Sequence, residues 1–210
     1  MSLPGFLKNI PSKIVAAGLN YHSHAKELKM NAPRHPIIFL KPNTSIISDR
    51  ETIVLPKQSK RVDYEAELAL VVGKKCKDVP EKDALKYIRG YTCLNDVTAR
   101  DLQKLDGQWT RAKSFDTFCP IGPRLENRGE LDPDDTAIEL YLNGKQRQSS
   151  STKEFIFKTG YLVSFISKIM TLNEGDIITT GTPPGIGPMK PGDTVEVRIQ
   201  GIGTLRNNVI

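Results

Sequence analysis

The chain has 210 residues, and its 30 Lys and Arg against 24 Asp and Glu give a formal net charge of +6. Hydrophobic residues at 38% and charged residues at 26% are ordinary for a folded domain and exclude wholesale disorder. The longest apolar runs, such as Leu68 to Val72, fall far short of the ~20 residues that span a bilayer, so no membrane partner is expected.

The first residues, MSLPGFLKNIPSK, carry no long apolar core and no small-residue cleavage site, so no secretory leader is expected. Residues 1–12 are read as an N-terminal extension and 13–210 as one domain. Lys13 to Ala17 and Ile37 to Leu40 are short apolar runs bounded by Pro, Gly and Asn, which predicts buried strands. Tyr64 to Val72 alternates and then turns continuously apolar, the pattern of a central strand. Lys82 to Ile88 and Val97 to Leu105 have helical composition. Thr136 to Leu142 alternates, and Asn143-Gly144 supplies a hairpin turn. Ser151 to Glu154 reads as a capping box for a helix that carries Leu162, Phe165 and Ile166, with Gly160 as its weak point. Near the C-terminus, two Gly-Asp turns at Gly175-Asp176 and Gly192-Asp193 each launch a strand. The fold class expected is mainly β with peripheral helices.

Cys76, Cys93 and Cys119 are widely spaced and form no CxxC pair. That argues against a disulfide framework and a thiolate zinc site, and for a reducing, cytoplasmic setting. The densest basic clusters are Lys57, Lys60, Arg61 and Lys74, Lys75, Lys77. Neither is interleaved with aromatic residues, and no helix-turn-helix, zinc-finger or RNP pattern is present. The net charge is read as a basic solvated surface, and no nucleic-acid partner is expected.

Five segments could carry chemistry. Glu65 and Glu67 stand two apart in a predicted strand and so share a face. Two carboxylates on one face repel unless they are solvated at an edge or bridged by a hard cation such as Mg2+ or Mn2+. Asp96 precedes a predicted helix, where an N-cap role is the ordinary reading and a third oxygen ligand the alternative. His24 and Glu27 are three apart, so on a helical turn they are neighbours, and a carboxylate beside an imidazole raises its basicity. An exposed His on a polar helix is the plain alternative. The segment from Gly181 to Gly187 is Gly-rich but matches neither a P-loop nor a dinucleotide fingerprint. It is either a rigid surface loop or a small anion pocket lined by backbone N–H groups and the Thr182 hydroxyl. Lys113 lies in a segment without a clear period and with the only Trp, Trp109. It becomes a candidate carboxylate partner only beside an acidic metal site.

Together these pieces resemble the fumarylacetoacetate hydrolase family, over nearly the whole chain from about Lys13. GLNYHSHAKE is similar to the family's GxNYxxHxxE segment, and KPNTSI, DYEAELALVVGK, GYTCLNDVTARDLQ, KSFDTFCPIGP and GDIITTGTPPGIGPMKPGD follow in the family's order. The likeness is to short, single-domain members that include acylpyruvases and oxaloacetate decarboxylases. It implies a mixed β-sandwich roll and a homodimer. It implies Glu65, Glu67 and Asp96 as ligands of one Mg2+ or Mn2+, and His24 with Glu27 as a water-activating dyad on a lid. It also implies Lys113 as an active-site lysine, and Arg100, Gln103 and Thr182 as substrate-binding residues. Cys119 departs from the pattern, where many members have a small residue. The implied activity is cleavage of an acylpyruvate, a 2,4-dioxo acid, to pyruvate and a carboxylic acid. Oxaloacetate decarboxylation and isomerisation of 2-hydroxyhepta-2,4-diene-1,7-dioate are the alternatives.

Overall fold

The computed structural model describes residues 3–27 and 31–210, apart from the side chains of His24 and Ala25. In chain order the first half holds β1 (Ile14–Gly18), α1 (His22–Glu27), β2 (Ile37–Lys41), β3 (Ile46–Ile47), β4 (Thr52–Ile53), β5 (Val62–Tyr64) and β6 (Ala66–Val72). Next come α2 (Glu81–Ala84), β7 (Ile88–Asn95), β8 (Thr98–Ala99), α3 (Arg100–Asp106), α4 (Thr110–Lys113) and β9 (Cys119–Asn127). The rest is β10 (Ala137–Leu142), β11 (Lys145–Ser151), α5 (Thr159–Ile169), β12 (Ile177–Thr179), β13 (Gly187–Pro188), β14 (Thr194–Ile199) and β15 (Gly203–Val209).

Among the described residues the strands form a seven-stranded sheet in the order β2-β1-β12-β6-β7-β9-β3, a five-stranded sheet β11-β10-β14-β15-β4, and a small sheet β13-β5-β8. The mainly β reading holds. Strand β6 is central and buried at every residue. Its alternation divides the core. Leu68, Leu70 and Val72 join a large apolar cluster with Ile138, Leu140, Val195 and Val197 of the second sheet. Ala69 and Val71 face a smaller cluster with Ile14, Leu94, Ile121 and Ile177. Glu67 shares the parity of Ala69 and Val71, so it projects on the side of the smaller cluster.

Several local expectations change. The strand expected to be buried at Ile37 to Leu40 is instead the edge strand of the large sheet, with Ile37 and Leu40 exposed, because only β1 pairs with it. The strand predicted from Tyr64 to Val72 is divided at Glu65. There the Asn95 side-chain oxygen accepts the Glu65 N–H at 2.9 Å, and the chain passes from the small sheet to the large one. Helical composition at Lys82–Ile88 and Val97–Leu105 produces only short helices. The first stops at Ala84 and tightens to a 3-10 turn before β7. The second starts at Arg100, because Thr98 and Ala99 pair with β5, and it ends in a left-handed Gly107.

The capping box also fails. Residues Thr152–Glu154 form a 3-10 turn, on which the Ser151 hydroxyl accepts the Lys153 N–H. Asn20 holds the next residues extended, taking the N–H groups of Ile156 and Phe157 on its backbone and side-chain oxygens. The helix therefore starts later, at Thr159, and its cap comes from a distant residue: Asp134 accepts the Thr159 N–H at 3.0 Å. Gly160 falls in the first turn beside the Glu81 carbonyl, where it interrupts nothing.

Candidate active site and metal centre

The antiparallel register of β6 and β7 pairs Ala66 with Asn95 and Glu67 with Leu94. Glu65 and Asp96 extend that pairing by one step, and the Asp96 N–H donates to the Glu65 carbonyl at 2.9 Å. Two strand ends therefore bring three carboxylates together. One oxygen from each of Glu65, Glu67 and Asp96 lies within 4.8 Å of the others, and all three residues are buried. Asp96 is not an N-cap. Ala99 precedes α3, and the Asp96 carboxylate turns inward to accept the Lys41 ammonium at 2.6 Å and the Lys113 ammonium at 2.6 Å.

Cations surround this cluster on one side. Lys113 also reaches Glu65 at 2.9 Å, and Arg100 donates to the other Glu65 oxygen. Arg100 also donates to Asp63 at 2.9 Å and to Gln103 at 2.6 Å. Its three donor nitrogens thus face acceptors of this chain. The two glutamates consequently titrate in opposite directions. Burial pushes Glu65 up, but Lys113 and Arg100 outweigh it and hold the carboxyl at about 2. Glu67 is pushed well above its ordinary value by burial and by the charges of Asp96 and Glu65. The Gly181 N–H donates to Glu67 at 2.8 Å. Burial lowers Lys113, but Asp96 and Glu65 more than compensate, so it stays protonated.

Above the cluster lies a cavity of about 480 Å³. Glu65, Glu67, Asp96, Lys113, Gln103 and Thr182 line it. Arg100 and Glu27 also line it, so each of these predicted site residues reaches one space. Glu27 accepts the Gly185 N–H at 3.1 Å, which ties α1 to the Gly-rich loop. The His24 side chain lies outside the described residues. One wall is aromatic: Trp109 packs edge-on against Phe39, and Lys113 sits 5.1 Å from the Phe39 ring centre. Cys119 is fully buried beneath the site, and burial pushes its thiol up to about 12, which suits packing.

The family's description as the fumarylacetoacetate (FAA) hydrolase C-terminal domain matches residues 13–210. The chain belongs to this family. Oxaloacetate tautomerase Fahd2a, mitochondrial, of Rattus norvegicus is 42% identical over 95% of this chain and 67% of its own length. The crystal structure of 5-carboxymethyl-2-hydroxymuconate delta-isomerase from Mycobacterium smegmatis superposes with a TM-score of 0.89 at 50% identity, over 96% of this chain and 79% of that one. Fumarylpyruvate hydrolase from Pseudomonas aeruginosa, solved with Mn2+ and pyruvate, gives a TM-score of 0.89 at 32% identity, over 95% and 90%. The fumarylacetoacetate hydrolase fold thus hosts hydrolase, isomerase and tautomerase chemistry among proteins similar to this chain. The donor set here suits a hard divalent ion of the Mg2+ or Mn2+ type, because it consists of carboxylate oxygens alone.

Three residues at the site escape a reading of individual segments. Lys41 is fully buried and joins Asp96 to the Lys113 carbonyl, at 2.6 and 2.7 Å. Its signal is a lysine closing the apolar run IIFL, where a solvated charge is out of place. Asp63 is buried between Arg61 and Arg100. Gln148 is buried in a polar hairpin strand whose sequence gives no sign of it.

Proposed function

We propose that this chain is a divalent-metal-dependent enzyme of 2-oxo acids that hydrolyses the C–C bond of acylpyruvates to pyruvate and a carboxylic acid. The observation that carries the reading is the meeting of Glu65, Glu67 and Asp96 on the floor of a cavity that also presents Lys113 and Thr182. The three carboxylates would hold Mg2+ or Mn2+. When bound, the ion supplies a Lewis acid that draws charge from the 2-oxo group.

The residues divide the remaining work. Lys113, still protonated, and the Thr182 hydroxyl bind the C1 carboxylate and orient the substrate. Glu27 orients His24, which takes a proton from the water that adds to C4. The C3–C4 electron pair then moves toward the 2-oxo group as the bond breaks, and a proton delivered to C3 completes pyruvate. Trp109 and Phe39 exclude bulk water from one side of the cavity.

A second reading uses the same floor for proton relocation alone, as an isomerase or tautomerase, or for oxaloacetate decarboxylation. Similarity to an isomerase at 50% identity and to a tautomerase at 42% supports its proton-relocation form. Pyruvate release measured over a panel of 2-oxo acids with Mg2+ or Mn2+ separates the readings. Turnover of acetylpyruvate is expected. Decarboxylation of oxaloacetate with acetylpyruvate left intact overturns hydrolysis in favour of the second reading.

A further inference from the structure

Strand β11 is exposed along most of its length, yet Gln148 within it is 1% exposed. A bulge explains this. Leu140 pairs with Gln148 and Tyr141 with Gln146, so Arg147 is the extra residue. The bulge turns Gln148 under the Gly-rich loop instead of out to solvent. The loop lies close there: a Cβ on Gly185 would overlap the Arg147 carbonyl, and Gly185 adopts φ +97°.

The Gln148 amide has only one possible orientation. Its oxygen accepts the Ala66 backbone N–H at 3.0 Å, and its nitrogen donates to the Pro183 carbonyl at 2.7 Å. Those two partners are a pure donor and a pure acceptor, so the oxygen and nitrogen cannot be exchanged. The second amide hydrogen goes to the Thr182 hydroxyl oxygen at 2.9 Å. Thr182 must therefore accept from Gln148. Its own proton has no acceptor among the described residues, and Thr182 lines the cavity.

We propose that Gln148 is a positioning residue that sets the polarity of Thr182, forcing its hydroxyl to present a proton to an anionic oxygen of the substrate. The inference rests on the 2-oxo acid reading above and assigns a further residue to it. Ala66 directly follows Glu65, so the same amide ties the loop donor to the strand that carries the acidic cluster. Together with the Gly181 N–H on Glu67, this side chain fixes the distance between an anion held by Thr182 and the cluster.

The test is oxalate binding to the Mg2+-loaded protein, measured calorimetrically in a double-mutant cycle. Gln148→Glu has nearly the same shape but no N–H, so the Thr182 proton turns toward the new carboxylate. Oxalate should bind about tenfold more weakly, the effect of one hydrogen bond to a charged group. In a Thr182→Val background the same change should alter affinity less than twofold. Gln148→Met, which carries no buried charge, should show the same dependence on Thr182 with a smaller loss of about threefold. Equal losses in both backgrounds would make Gln148 a simple loop clamp and overturn the proposal, as would no loss at all. If the unmodified protein bound no oxalate, the 2-oxo acid reading would fall first, so the two failures are distinguishable.

Discussion

The floor and the roof of the cavity are built on different principles. The floor is made at the ends of β6 and β7, two neighbouring strands of the large sheet, with Lys41, Lys113 and Arg100 pressed against its carboxylates. The roof is made of α1 and the Gly-rich loop, joined by bonds such as that from Gly185 to Glu27. Buried cations offset the charges of Glu65 and Asp96, whereas Glu67 is left with their repulsion. The Gly-rich loop of the roof is held instead by single hydrogen bonds, from Gly181 to Glu67 and from Gln148 to Pro183. Metal holding needs the first arrangement, and proton transfer to a bound water needs only the second. The two regions should therefore fail in different ways when altered.

The largest effect belongs to the floor. Glu65→Ala should abolish Mn2+ binding and activity together, with a loss of about 10³-fold or more in turnover. Calorimetry with Mn2+ beside a pyruvate-release assay checks both. Full turnover by protein washed with EDTA would remove the metal from the mechanism altogether.

Lys41→Met comes next and strikes the floor through stability. Its ammonium and the Asp96 carboxylate are both buried, with side-chain exposures of 0% and 1%. Removing one partner of such a pair costs about 3–5 kcal/mol, because the other charge is stranded. Thermal unfolding should show the loss, and adding Asp96→Asn should restore part of it. A variant as stable as the parent would mean that Lys113 alone suffices to hold Asp96.

The contrast also explains what could be read from sequence. The doublet Glu65 and Glu67 is legible because side chains two apart share a face, and the apolar run after it marks a buried strand. Asp96 looks like a helix cap because its partners, Lys41 and Lys113, are 55 and 17 residues away. Spacing within a segment carries no trace of them. Strand β6 is plain in the sequence, but its break at Glu65 depends on Asn95, 30 residues on. The misplaced start of α5 has the same origin, since Asn20 and Asp134 decide it from elsewhere. Gln148 is hidden for another reason: a bulge reverses the side of the strand that a regular alternation would assign.

His24→Ala tests the roof. Loss of a positioned base should lower hydrolysis by about 10²-fold. Decarboxylation or tautomerisation, which needs no activated water, should fall much less, and Mn2+ affinity should be unchanged. Steady-state rates on acetylpyruvate and oxaloacetate give the ratio. Equal losses would remove water activation from the segment and leave it a cover.

The smallest effect sharpens the picture of the floor alone, in metal-stripped protein. Glu65 is held at about 2, below its ordinary 4.5, because Lys113 and Arg100 outweigh burial. Above pH 4.5 its stabilisation is fully present. As pH falls from 4.5 toward about 2 the unfolded chain takes up the proton first, so that stability is lost. Glu67 has the opposite sign. Burial, Asp96 and Glu65 raise it, so the folded protein keeps its proton longer, and stability declines as pH rises above 4.5. Glu65→Gln should therefore flatten the acid limb of a urea-denaturation series, whereas Glu67→Gln should raise stability at neutral pH while weakening Mn2+ binding. A Glu67→Gln protein less stable than its parent at pH 7 would mean that the Gly181 N–H alone compensates the Glu67 charge, and the floor would then be relaxed without its metal.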